Sequence, residues 1–181
     1  MTVARPARPD VWAKLGLAAL LVALAAWGVG QWTGFHGLPF ALALQVLLMW
    51  WGLYLLALTE PVLRGAFFTV QIWEAPLYRG LGASAFGRLL RWVGWERLRR
   101  GARGFGGTRA SLARLDHATR EAEYSHLLLA LICLGLAAGA LALRAPDTAG
   151  WLLLTTLFAH LYPVMLQRTL RWRLQELGVR G

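Results

Sequence analysis

The stretch ATREAEYSH, residues 118–126, concentrates groups that could do chemistry. On a helix, Thr119, Glu123 and His126 fall at i, i+4 and i+7 and share one face. Glu123 and His126 are three residues apart, close enough to interact. A carboxylate that holds an imidazole fixes its tautomer, and an imidazole so held can take a proton from a hydroxyl. A polar helix end at a membrane interface accounts for the same pattern without any chemistry.

A second polar group interrupts an apolar run near the C-terminus, HLYPVMLQRTLRWRL, residues 160–174. His160, Gln167 and Arg171 are spaced seven and four apart, on one helical face. Pro163 cannot donate to the carbonyl four residues back, at Ala159, so a kink is expected there. Arg168 beside Gln167 suits a phosphate group, because a guanidinium makes two parallel hydrogen bonds. Plain anchoring by snorkelling to a membrane surface is the alternative for the C-terminal arginines, Arg173 and Arg180 above all. Glu123, His126 and His160 offer three possible metal ligands. No HExxH motif or cysteine cluster accompanies them, and His160 lies about two turns deeper than Gln167. No metal is expected. His160 is explained equally well by a bond to a neighbouring helix and by a substrate contact.

The elements that must carry these residues are apolar. Four stretches, about 15–32, 38–59, 124–143 and 150–167, approach the roughly 20 residues that a helix needs to cross about 30 Å of hydrocarbon. A segment in lipid must satisfy its own backbone, so each is expected to be a helix. Gln45 is the one strongly polar side chain in the second stretch, and polar groups in a span normally face the bundle interior. The fold class expected is an all-α integral membrane protein with four transmembrane helices in a single domain, residues 1–181. The third and fourth form a hairpin, since only RAPDTAG joins them. That pairing puts Glu123, His126, Gln167 and Arg168 at matching depth, with His160 set apart.

Charge supports this arrangement. The formal net charge is +10, and of 19 basic residues all but Lys14 are arginine. They concentrate in the N-terminal tail, in residues 60–123 and after the fourth span; the two short connections hold only Arg144. This alternation puts both termini and the middle segment on the cytoplasmic side of the membrane. Arginines flanking spans explain the charge better than nucleic acid does. The first apolar run is too long, and lacks too clear a cleavage site, for a signal peptide. Cys133 is the one cysteine, so no disulfide forms within the chain.

Residues 60–123 form an interfacial segment. Residues 65–78 are apolar but too short to span and suit a re-entrant or interfacial piece. Residues 86–101 place Phe86, Leu89, Leu90 and Val93 on one helical face and arginines on the rest, which is the pattern of a helix lying in the headgroup plane. Residues 108–123 are expected to form a helix that runs into the third span.

The pattern T-R-x-A-E-x-x-H (Thr119, Arg120, Ala122, Glu123, His126), then a spanning hairpin, then Y-P-x-x-x-Q-R-x-x-R-x-R-L (Tyr162, Pro163, Gln167, Arg168, Arg171, Arg173, Leu174) resembles the glycosyl-4,4'-diaponeurosporenoate acyltransferases. The resemblance covers roughly residues 66–176 and includes Trp73 and Glu74. It implies a small bacterial membrane enzyme of carotenoid biosynthesis that esterifies the sugar of a glycosylated carotenoid, or a related glycolipid, with a fatty acyl chain. It implies catalytic roles for His126 as base, Glu123 as its orienting partner, and Gln167 and Arg168 as oxyanion donors. It implies substrate contacts at Thr119, Arg120, His160, Tyr162, Arg171, Arg173, Trp73 and Glu74. No cofactor is expected to stay bound; acyl-CoA or another acyl donor is the co-substrate, and membrane lipids with an amphiphilic glycolipid are the partners. Two other classes compete. A small lipid methyltransferase lacks its R-H-P-x-Y pattern here. A non-catalytic scaffold explains the tryptophans and arginines but not the shared depth of Glu123, His126 and Gln167.

Overall fold

The computed structural model describes residues 9–94 and 108–178. Among them the elements are helical: α1 (Pro9–Thr33), α2 (Leu38–Thr59), a 3-10 turn (Ala66–Phe68), α3 (Glu74–Gly80), α4 (Ala83–Trp92), α5 (Arg109–Ala142), α6 (Pro146–Thr156), a π-turn (Leu157–Leu161) and α7 (Tyr162–Glu176). Four helical stretches are long and apolar enough to cross a membrane: Asp10–Thr33, Leu38–Thr59, Ser111–Ala142 and Pro146–Glu176. The protein is an all-α membrane protein.

The third and fourth stretches are longer than their apolar cores. Residues 108–123 and the third span form the one helix α5, as expected. Its start is fixed by a reciprocal cap: the Thr108 amide donates to Ser111 Oγ at 3.0 Å, and the Ser111 amide donates to Thr108 Oγ1 at 3.3 Å. The fourth begins at Pro146 rather than near 150, because proline needs no amide partner in a first turn. It also continues past 167 to Glu176. A π-turn, Leu157–Leu161, stands just before Pro163, where the proline was expected to interrupt the helical bonding. The basic helix expected over 86–101 is described only as far as Trp92, as α4; Arg97, Arg99 and Arg100 lie outside the described residues.

The chain forms two compact units. The first comprises Met1–Val62 and Ser125–His160. Its core packs Val22 of α1, Phe40, Ala41, Leu44 and Leu48 of α2, Leu129, Cys133 and Ala137 of α5, and Ala149 and Leu152 of α6. Gly52 lets α2 approach α5, since a Cβ there would stand 3.1 Å from Leu129. The outside of this unit is apolar: Leu17, Leu24, Trp27, Val46, Leu53 and Leu131 are all more than half exposed. Its buried residues include Gln45, His126, Thr155, Thr156 and His160. A unit with leucine outside and glutamine and histidine inside is arranged for lipid.

The second unit comprises Leu63–Tyr124 and Leu161–Gly181. In it α3 and α4 pack on α7 and on each other. Gly82, at φ +87°, makes the left-handed turn between α3 and α4. Tyr162 secures that turn: its hydroxyl donates to the Leu81 carbonyl at 3.1 Å and its ring stacks on Phe86 at 4.9 Å.

Candidate functional site

Among the described residues, each unit contains a buried polar cluster. In the first, the chain of contacts starts at Gln45 on α2. Its amide nitrogen donates to Thr155 Oγ1 at 3.0 Å and to Thr156 Oγ1 at 3.2 Å. Its carbonyl oxygen faces His160 Nε2 at 2.7 Å and accepts from the Cys133 thiol at 3.5 Å. His160 Nδ1 in turn meets His126 Nδ1 at 3.1 Å. His160 and Cys133 are fully buried, and His126 is 7% exposed. The contact between the two histidines corrects the depth expectation. Counting residues along a straight helix set His160 apart, but His160 sits inside the π-turn, whose wider winding changes the direction its side chain takes.

In the second unit, Glu74, Asp116, Glu123, Arg120 and Arg171 are buried, and the half-buried Arg168 joins them. Three charges of each sign leave the cluster neutral. Arg168 grips Glu74 with two parallel bonds, Nε to Oε2 at 2.6 Å and Nη2 to Oε1 at 2.9 Å. Its Nη1 donates to Glu123 Oε1 at 2.5 Å and to the Phe67 carbonyl at 3.2 Å, and its Nη2 to the Thr69 carbonyl at 3.4 Å. These contacts use all the donors that a guanidinium has. Arg171 donates through Nη1 to the other oxygen of Glu123 and to the Phe68 carbonyl, and through Nε to Thr119 Oγ1 at 3.1 Å. Arg120 donates to the Leu63 carbonyl at 3.1 Å and pairs with Asp116 at 2.8 Å. Phe68 lies under the guanidinium groups of both Arg120 and Arg171, at 5.8 and 5.5 Å.

Glu74 opens α3 and collects four donors: Arg168 twice, the Gln71 amide at 2.8 Å and the Tyr78 hydroxyl at 2.7 Å. Burial by itself would raise its pKa. The Arg168 bond, the Gln71 amide and the Tyr78 hydroxyl outweigh burial and hold the carboxyl at about 2, below its ordinary 4.5. Tyr78 moves the other way, pushed up to about 12 by its own burial and then by the Glu74 carboxylate beside it.

The residues singled out in the sequence are thus distributed between the two clusters. His126 and His160 meet in the first. Glu74, Thr119, Arg120, Glu123, Arg168 and Arg171 gather in the second. Gln167 is also buried in the second unit, at 4% exposure. Tyr162 is engaged at the α3–α4 turn, while Trp73 and Arg173 are exposed. Gln45 and Asp116 complete the clusters and were not among the site residues expected. Gln45 had a signal, as the lone strongly polar residue in its span. Asp116 had none beyond its place four residues before Arg120.

A model of the glycosyl-4,4'-diaponeurosporenoate acyltransferases, CrtO, matches residues 64–180. The chain belongs to this family. The match includes the whole charged cluster and both histidines, and it begins after Gln45. No curated protein and no solved structure matches the chain.

Proposed function

We propose that this CrtO-family protein transfers a fatty acyl group to a sugar hydroxyl of a glycosylated carotenoid or related glycolipid. Within a family of acyltransferases, the observation that carries the reading is the buried contact between His126 and His160 inside an apolar helical unit. Ionisable side chains within spanning segments mark function by default, and acyl transfer to an alcohol needs a group that takes a proton. His126 is the base. The sugar oxygen attacks the acyl carbonyl carbon as its proton passes to His126. The tetrahedral intermediate collapses, the bond to the leaving group breaks, and His126 returns the proton to that group. With an acyl thioester such as acyl-CoA as donor, the products are the sugar ester and the free thiol. Arg168 holds the second unit's cluster together rather than the donor's phosphates, since it has no N–H to spare. The arginine distribution favours termini on the cytoplasmic side of the plasma membrane, the side that supplies activated acyl groups.

The test is a mass-spectrometric profile of lipids and pigments from cells with the protein, without it, and with His126→Ala. An acylated glycolipid or carotenoid present only with the unaltered protein is the expected result and names the product. If no acylated species changes, or if His126→Ala makes the product at the full level, the enzymatic reading falls and a scaffold role takes its place.

A further inference from the structure

We infer that Gln45 and His160 are positioning residues that set the tautomer of His126 and place its lone pair on Nε2. The inference rests on the reading of His126 as the base. It follows from counting protons along the hydrogen-bond chain. The Thr155 hydroxyl donates to backbone carbonyls of its own helix, to Trp151 at 2.8 Å and Leu152 at 3.2 Å. With its proton spent there, Thr155 Oγ1 accepts from Gln45, so the amide NH2 of Gln45 must face the threonines. The carbonyl oxygen of Gln45 therefore faces His160, and only a protonated Nε2 can donate to it across 2.7 Å. The Cys133 thiol, also a donor, approaches the same oxygen. A neutral His160 protonated on Nε2 has its lone pair on Nδ1. That lone pair meets His126 Nδ1 at 3.1 Å, so His126 carries its proton on Nδ1. The acceptor nitrogen of His126 is then Nε2.

The chain Thr155–Gln45–His160–His126 thus fixes the tautomer of this imidazole as a carboxylate does in a hydrolase triad, without supplying the carboxylate's negative charge. The orienting group anticipated for His126 was Glu123, but both oxygens of Glu123 are held by arginines. Gln45 lies outside the residues matched by the family model.

The test uses full-length protein, labelled with 15N-histidine and reconstituted in lipid nanodiscs. The 15N spectrum separates protonated Nδ1 from protonated Nε2, and the His126 signals are assigned by their loss in His126→Ala. The expected result is His126 protonated on Nδ1 in the unaltered protein and a mixture of tautomers in Gln45→Met. Gln45→Glu, whose neutral carboxyl offers the same carbonyl acceptor to His160 and a hydroxyl to the threonines, is expected to restore the single tautomer. In acyl transfer, Gln45→Met lowers kcat about 10- to 100-fold with little change in KM, and Gln45→Glu recovers most of it. An unchanged tautomer in Gln45→Met overturns the inference. If the unaltered protein shows the tautomer pattern but no acyl transfer, the relay stands and the function assigned to His126 falls.

Discussion

The two units bury polar groups by opposite means. The first uses neutral groups in series: threonine, glutamine and two histidines, linked donor to acceptor. The second uses charge: three carboxylates and three guanidinium groups locked together, with backbone carbonyls of Leu63, Phe67, Phe68 and Thr69 accepting further donors. The difference separates proton transfer from rigidity. A neutral chain that ends in an imidazole leaves that ring able to take up and return a proton. A balanced ion cluster has no such freedom, because any change at one member leaves a buried charge unpaired. The first arrangement suits proton transfer, and the second suits holding short helices and a turn to α5 and α7.

The sharpest way to break this comparison is Glu123→Ala. It strips a partner from both Arg168 and Arg171, and a loss of about 3–5 kcal/mol is expected, enough to deplete folded protein. Thermal unfolding in detergent checks it, and a near-normal midpoint would mean that the cluster is not what holds the second unit. His126→Ala should divide the two clusters by type of effect. Acyl product is expected to fall about 10²- to 10⁴-fold, while stability drops by only about 1–3 kcal/mol for one orphaned ring nitrogen. Equal losses of stability in both variants would erase the distinction.

A pH titration sharpens it further. The folded-state pKa of Glu74, about 2, lies below its ordinary 4.5, so its contribution to stability is present above 4.5 and is lost as pH falls toward 2. Unfolding midpoints measured across that window should decline. Glu74→Gln, with no carboxylate to protonate, should start lower and decline less. The smallest effect expected is for Tyr162→Phe, which removes one hydroxyl bond to Leu81 at the α3–α4 turn. It should cost about 0.5–1.5 kcal/mol in the same unfolding assay.

Much of this was legible in the sequence. Four uncharged or nearly uncharged runs of span length, with arginines between alternate pairs, determine an all-α membrane protein, since lipid leaves a lone apolar segment no option but a helix. The i, i+4, i+7 spacing marked the polar face of α5, and Pro163 marked the break in the fourth span. What tertiary structure alone decided was partnership. Glu123 and His126 are neighbours in sequence, yet Glu123 is claimed by two arginines of α7 and His126 by a histidine in a π-turn. Gln45 reaches His160 across 115 positions of chain. Spacing tells which residues share a face of one helix. It does not tell which face of another helix they meet, because that depends on packing and on local changes of helical pitch. A carboxylate, an amide and an imidazole each accept several kinds of partner, and packing chose among them.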